Sequence, residues 1–163
     1  AFGNAWFVDK LDMVDNADAE IEALNTIDPL RTAVVDKRFQ EDLEGFVPQK
    51  DSTATIVLEE YRPNRLTYKS KADKEQLAVF SEVYYQPGWK ATVDGKEVPH
   101  FRADWILRGM RVPAGEHTIV FAFRPSGYVT AAYVSSYSSF LILLLLIAAI
   151  GWSGWKYWKK SKN

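Results

Sequence analysis

Apolar and polar residues alternate through the middle of the chain, a pattern that predicts short, half-buried strands. Ile119, Phe121 and Phe123 occupy every second position of one such segment, so we expect them to share a buried face. Turn-forming pairs such as Pro87-Gly88 and Asp94-Gly95 separate the segments. The pattern predicts seven strands, over residues 53–61, 65–71, 76–85, 90–93, 96–102, 105–112 and 117–124.

The first fifty residues mix strand and helix signals. We expect strands at 5–8 and 32–35, a helix over about 17–26 that Asp15-Asn16 can cap, and a short helical turn at 38–43. The predicted fold class is therefore mainly β, an antiparallel β-sandwich of jelly-roll-like type. Residues 51–125 form the sandwich, and residues 1–50 form a small α/β segment that packs with it.

The C-terminal part predicts one transmembrane helix, over residues 126–158. Residues 140–150 are an unbroken apolar run, and no charged residue occurs between 125 and 155. A buried helix of a soluble core rarely stays uncharged for so long and then ends in a Trp and Lys cluster. The residues expected at the two membrane interfaces are Tyr128, Tyr133, Tyr137, Trp152, Trp155, Trp158, Lys156, Lys159 and Lys160.

The distribution of charge predicts how the chain lies across the membrane. Residues 1–125 contain 16 Lys and Arg against 21 Asp and Glu, whereas the last eight residues carry four lysines. Lysines beside a membrane helix favour the cytoplasmic side, so we expect a basic cytoplasmic tail at 159–163 and an extracytoplasmic position for 1–124. The chain starts without Met or an apolar leader, which suggests upstream transmembrane helices as partners.

Composition excludes several classes of protein. With 47% hydrophobic residues and a net charge of −1, the chain is neither disordered nor a strongly basic nucleic-acid binder. It has no cysteine, which rules out disulfides and thiolate metal sites. His100 and His117 are too far apart in sequence to suggest a metal pair. An acidic series, which we interpret as surface residues and a helix cap, comprises Asp9, Asp12, Asp15 and Asp18.

No catalytic centre or metal site is predicted in this chain, but one set of residues suggests a ligand platform. Aromatic faces stack on sugar rings, and planar polar groups bind hydroxyls, so such a set is suited to carbohydrate. The alternative is that these rings are part of the sandwich core, and an outward position of Trp89 and Trp105 would separate the two. The candidate residues are Tyr84, Tyr85, Trp89, Arg102, Asp104 and Trp105.

Residues 81–99 and 102–121 carry a family resemblance. Their Tyr85-Gln86-Pro87-Gly88-Trp89 motif, the Val93-Asp94-Gly95 turn and the 112–117 motif Val-Pro-Ala-Gly-Glu-His resemble the C-terminal extracytoplasmic domain of YfhO-type bacterial membrane proteins. The resemblance extends over most of residues 3–155. It implies a polytopic protein of the bacterial cytoplasmic membrane, similar to integral-membrane glycosyltransferases that use a polyprenyl-phosphate sugar donor.

The resemblance leaves two functions open for this chain. In such proteins the catalytic acid lies in an early extracytoplasmic loop, so no catalytic residue transfers to this sequence and the chain itself has no expected cofactor. The first hypothesis is a non-catalytic accessory domain that positions carbohydrate or acceptor in the glycosylation of cell-surface polymers. The alternative is a structural or protein-interaction domain without a ligand.

Overall fold

The computed structural model describes residues 3–161, except for the side chains of several residues near the two ends of the C-terminal helix. The chain divides into two compact units, residues 1–124 and residues 125–163. Among the described residues, the first unit contains all the strands, and the second is a single long helix.

The first unit begins with mixed elements. Asn16 caps the first helix by accepting a hydrogen bond from the Ala19 N–H at 2.9 Å, as expected for an N-cap asparagine. The elements are strand β1 (Ala5–Val8), strand β2 (Lys10–Val14), helix α1 (Ala17–Leu24), strand β3 (Thr32–Asp36) and a 3₁₀ helix (Lys37–Leu43).

Eight further strands follow in the same unit. They are β4 (Thr55–Arg62), β5 (Arg65–Ala72), β6 (Gln76–Val83), β7 (Trp89–Val93), β8 (Lys96–Val98), β9 (Phe101–Ala103), β10 (Leu107–Val112) and β11 (Gly115–Phe123). They form a five-stranded antiparallel sheet in the order β4-β5-β11-β7-β8 and, with β1, a four-stranded antiparallel sheet in the order β1-β6-β10-β9.

The two antiparallel sheets enclose a common core. Alternate residues of β5, β7 and β11 pack against alternate residues of β6 and β10, as expected for the inner faces of a sandwich. At its centre Tyr68, Phe80 and Phe121 contact one another edge to face, with ring centroids 4.9 to 6.2 Å apart. Ile119 and Phe121 are fully buried here and Phe123 is half-buried, in agreement with the predicted alternation.

The four-stranded sheet is covered on both faces. Leu77 and Val79 of β6, which point away from the sandwich core, pack against Ala33 and Val35 of β3 and against the 3₁₀ helix. The first five residues of β6 are therefore all buried. Thus the N-terminal α/β segment is a third layer of the same compact unit.

Several element boundaries differ from the prediction. Strand β2, which pairs in parallel with β3, was not predicted because its acidic residues were interpreted as a surface series. The predicted strand 96–102 is two strands, β8 and β9, since Pro99 lacks the N–H that a continued ladder needs. The buried side chain of α1 is Glu20, whereas Ile21 is 38% exposed.

The second unit is the helix α2 (Ser126–Ser161). Its segment Tyr133–Trp158 is long and apolar enough to cross a membrane, with a mean hydropathy of 2.1 and none of its most apolar window buried in the protein. The predicted fold class is confirmed: the chain is mainly antiparallel β and ends in one long apolar helix.

Candidate functional site

The six predicted ligand residues lie on two neighbouring segments at one end of the four-stranded sheet. One segment follows β6 and leads through Gly88 into β7, and the other comprises β9 and its turn into β10. The Tyr84 N–H donates to the carbonyl of Ile106 at 2.7 Å, which joins the two segments. The six residues are thus near one another in the fold, but their side chains face different surroundings.

Tyr84 and Trp89 are packed against the protein. The Tyr84 ring contacts Phe39 and His100 edge to face at 5.7 and 5.6 Å. The Trp89 ring packs against Phe123 at 5.3 Å. Both side chains are half-buried, so neither offers a free face of the kind that a sugar ring needs.

Arg102 and Asp104 bind the N-terminal segment. The Arg102 guanidinium donates to a carboxylate oxygen of the fully buried Glu20 at 2.6 Å. Asp104 accepts the Val34 N–H at 2.8 Å through its carboxylate, and its own N–H donates to the Val34 carbonyl at 2.8 Å. Sequence reasoning missed Glu20, because a single acid in a helix gives no signal that it is buried.

The Asp104 carboxyl is in an unusual environment. It is 6% exposed, and one of its oxygens has no hydrogen-bond partner among the described residues. Burial raises the pKa of Asp104 to about 6, and the negative charge of Glu20 adds to the rise, while the hydrogen bond from Val34 opposes it. This carboxyl therefore takes up a proton in mildly acidic solution.

The turn after Asp104 has an uncommon backbone conformation. Asp104 and Trp105 have φ angles of +51° and +70°, in the left-handed region that bulky residues rarely occupy. The Trp105 N–H donates to Glu20 at 2.8 Å, which holds the turn in place. As a result the Trp105 side chain is directed outward and is 42% exposed.

What remains at the surface is a small apolar group beside this turn. Tyr85 is 53% exposed, so it and Trp105 are the two candidate ligand residues with substantially free rings. Two exposed aliphatic residues accompany them, Val83 on the last position of β6 and Ile106 next to Trp105. We call Val83, Tyr85, Trp105 and Ile106 the apolar edge.

A buried arginine lies behind the apolar edge. Arg108 is 2% exposed, its guanidinium carbon is 4.2 Å from the centre of the Trp89 ring, and its Nε donates to the Val83 carbonyl at 3.0 Å. Burial lowers its pKa, although the Glu82 carboxylate opposes that shift. Alternation places Arg108 on the inner face with Met110 and Val112, so its burial could have been predicted from the strand pattern.

The two histidines have separate structural surroundings. His100 is half-buried beside Phe121, and its partial burial lowers its pKa to about 4, so its ring is neutral at pH 7. The His117 Nδ1 is 2.6 Å from an Asp94 carboxylate oxygen in the β7–β8 turn, and this contact raises the pKa of His117. Among the described residues, neither histidine forms a hydrogen bond with a residue of the apolar edge.

The acidic series of the N-terminal segment does not converge on a common point. Asp9 binds Arg31 at 2.8 Å, Asp15 binds Lys37, and Asp18 lies in the first turn of α1. Among the described residues, no three His, Asp or Glu side chains are grouped so that they could hold a metal ion.

The predicted interface residues of the helix lie near the ends of its apolar segment. Tyr133 and Tyr137 are 62% and 73% exposed near one end. Trp152, Trp155 and Trp158 are exposed near the other end, where Lys156 also lies. The side chains of Tyr128, Lys159 and Lys160 lie outside the described part of the structure.

The comparison with known families decides the identity of the chain. A family model described as "Bacterial membrane protein YfhO" matches residues 40–135. The chain belongs to the YfhO family. The match runs from the end of the N-terminal segment through the sandwich and into the helix, and it confirms the family suggested by the Tyr-x-Pro-Gly-Trp segment. No curated protein and no solved structure matches the chain significantly.

Membership of the YfhO family establishes the chain as a bacterial membrane protein. The lipid bilayer is therefore one of its partners, and the apolar segment of α2 is its candidate transmembrane helix. The sandwich and the helix agree with the predicted order of a β-rich unit followed by a membrane segment.

Proposed function

We propose that this chain is a non-catalytic accessory domain of a polytopic YfhO-family protein of glycosyltransferase type, and that its apolar edge contacts carbohydrate during glycosylation of a cell-surface polymer. The observation that supports this proposal is the free aromatic surface of Tyr85 and Trp105 on adjoining segments. In the intact protein, the sugar donor is a polyprenyl-phosphate lipid, and an early extracytoplasmic loop outside this chain supplies the catalytic acid.

The apolar edge is held firmly enough to act as a platform. The hydrogen bonds from Tyr84 to Ile106 and from Trp105 to Glu20 fix the backbone of both segments. A flat ring presented on fixed backbone loses little conformational freedom when it binds, which favours recognition of a weakly binding ligand such as a sugar. Arg102 and Asp104 contribute by holding the turn that presents Trp105.

The experiment is a binding measurement with the full chain in lipid nanodiscs. The probes are oligosaccharide fragments of bacterial cell-surface polymers, and titration calorimetry gives the affinity. Tyr85→Ala and Trp105→Ala are each expected to weaken binding about tenfold or more, because a stacked ring contributes a large share of the energy of such contacts. Tyr61→Ala is the matched control, since Tyr61 is 63% exposed on β4 and outside the apolar edge.

A second candidate function is a structural or protein-interaction domain without a ligand. It is favoured by the four candidate residues that are engaged inside the fold: Tyr84, Trp89, Arg102 and Asp104. The same titration separates the two functions. Absence of binding to every oligosaccharide, or equal loss with Tyr61→Ala and Trp105→Ala, would favour the structural role.

A further inference from the structure

Three cations surround one residue on the outer face of the five-stranded sheet. Arg65 on β5 and Lys90 on β7 are the direct cross-strand neighbours of Ala122 on β11, one on each side. Arg124 lies two residues further along the chain, where the sheet ends. All three side chains are exposed, and together with the carboxylates of Asp94 and Glu97 they line a shallow groove of about 520 Å³.

A fourth cation lies at the same end of the sheet. Arg62 pairs with Arg65 across the turn formed by Pro63 and Asn64. The Phe123 N–H donates to the Asn64 carbonyl at 2.9 Å, which holds this turn beside the end of β11. We call Arg62, Arg65, Lys90 and Arg124 the basic end.

The basic end carries an excess of positive charge in an otherwise acidic unit. Two carboxylates pair with three of its cations: Glu60 is 2.6 Å from Arg62 and 3.9 Å from Arg65, and Glu97 is 2.9 Å from Lys90. Among the described residues Arg124 has no salt-bridge partner. The four cations therefore outnumber their carboxylates two to one, whereas residues 1–124 as a whole carry a net charge of −5.

The carboxylate partners of the basic end do not prevent it from binding a further anion. These pairs are solvent-exposed, and exposed ion pairs are weak and readily exchanged. A guanidinium presents its N–H groups in a planar fork that matches two oxygens of a phosphate. Two arginines and a lysine around one groove thus form a suitable site for phosphate groups.

The basic end is joined to the candidate transmembrane helix by a short stretch of chain. Arg124 precedes the first residue of α2 by two positions, and Tyr133, where the apolar segment begins, is only seven positions after Ser126. At 1.5 Å per residue that length of helix is about 10 Å. The headgroup layer adds roughly 5–8 Å on each side of the hydrocarbon core. The connection is therefore short enough for the basic end to reach lipid phosphates.

We propose that the basic end binds the phosphate groups of anionic lipid headgroups, so that this end of the five-stranded sheet docks on the bilayer surface. A lipid surface fits the charge excess, the exchangeable ion pairs and the short connection to the apolar helix together. No residue of the basic end belongs to the apolar edge, and this proposal does not depend on the proposed carbohydrate contact.

The absence of cysteine in the chain allows a direct test with a single spin label. The full chain carrying Asn64→Cys is labelled and placed in nanodiscs of phosphatidylcholine alone or with 30% phosphatidylglycerol. A nickel-chelating lipid reports how close the label is to the headgroups. We expect its relaxing effect to rise at least twofold with the anionic lipid and to fall again in 0.5 M salt. A label at Ser52→Cys, in the segment before β4, is expected not to respond.

Charge-removal variants distinguish specific docking from general attraction. The double substitution Arg65→Gln with Arg124→Gln is expected to abolish the rise. Lys69→Gln with Lys71→Gln removes the same charge from the same sheet and is expected to retain it, because those lysines are farther along the strand from Arg124. Thermal unfolding of each labelled chain confirms that it is folded.

Two results would overturn the proposal. The first is an equal effect of the nickel lipid in neutral and anionic nanodiscs, which would assign the basic end to another partner such as a protein segment. The second is an equal loss, in both double variants, of the increased relaxing effect of the nickel lipid. That result would show that the effect depends on the total charge of the sheet and not on the basic end.

Discussion

At the scale of single residues, the clearest steric constraint is at Gly109 on β10. A Cβ atom added there would lie 2.4 Å from Cε2 of Phe101, its partner on β9. Phe101 is 1% exposed and packs against Phe39, so its ring has little room to move. This close approach explains why the position is occupied by glycine although its backbone does not require one.

We therefore expect Gly109→Ala to lower the free energy of unfolding by about 1–3 kcal/mol, the usual cost of overpacking a dense core. Chemical denaturation of the full chain in detergent measures this change. Phe101→Leu provides the control, because a smaller side chain relieves the contact. The two substitutions together should cost less than the sum of their separate effects. Additive costs would show that the Phe101 ring is not the cause.

A second prediction at this scale concerns Asp104. Its pKa is raised to about 6 in the folded chain, against an ordinary value of 3.8. A carboxyl whose pKa is raised by folding stabilises the folded state fully at pH values below its pKa in the unfolded chain. This stabilisation is lost as the pH rises through 6. The loss between pH 4 and pH 7 is up to about 3 kcal/mol at 1.36 kcal/mol per pKa unit.

Asp104→Asn removes the titrating group. The free energy of unfolding of this variant should therefore increase relative to that of the native chain as the pH rises from 4 to 7. Urea unfolding of both chains at pH 4, 5, 6 and 7 measures the difference. Asp12→Asn, which removes an exposed carboxylate from β2, is the matched control. If the free energies of unfolding of Asp104→Asn and the native chain differ by the same amount at all four pH values, the raised pKa of Asp104 is contradicted.

At the scale of elements, the β7–β8 turn depends on its backbone conformation. Asp94 and Gly95 have φ angles of +50° and +82°, so both central residues are left-handed, as the Asp-Gly pair predicts. The Asp94 carboxylate accepts the Thr118 N–H at 2.9 Å and contacts His117, which joins the turn to β11. A Cβ at Gly95 would meet no atom within 4 Å, so steric contact does not exclude a side chain at this position.

Gly95→Val is therefore expected to destabilise the folded unit by about 1 kcal/mol or more through backbone strain alone. Gly95→Asn is the matched control, because asparagine tolerates the left-handed region and should cost much less. Thermal unfolding of the full chain compares them. Equal melting temperatures for the two variants would show that the turn is not held as described.

The elements also indicate how far sequence reasoning extends. Alternation along β11 identified its buried face, because one face of that strand meets water. It missed β2, although Lys10, Leu11, Asp12 and Met13 alternate, because Asp12 was interpreted as part of an acidic surface series and the partner strand β3 lies about twenty residues further along the chain. At the candidate site, the sequence grouped Arg102 and Asp104 with the aromatic residues. It could not indicate that Glu20, more than eighty residues away, holds that turn from within the protein.

At the scale of the whole molecule, the uneven distribution of charge bears on orientation. The β-rich unit has a net charge of −5, and four lysines follow the apolar segment of α2. We propose that residues 1–124 are extracytoplasmic and that the C-terminus is cytoplasmic in the bacterial cytoplasmic membrane. The cationic tail is the stronger determinant, since lysines near a membrane helix remain on the cytoplasmic side whereas acidic residues contribute little.

Two fusions to the intact gene test this orientation, with an alkaline phosphatase that is active only outside the cytoplasm. A fusion that ends at Arg124 is expected to be active, and one placed after Asn163 is expected to be silent, because α2 lies between the two points. The pair provides its own control, since both fusions share all upstream segments. Activity after Asn163 with silence at Arg124 would reverse the orientation, and activity at both points would show that α2 does not cross the membrane. The reversed orientation would also remove the basis of the carbohydrate role of the apolar edge, because a cell-surface glycan reaches only the outer side.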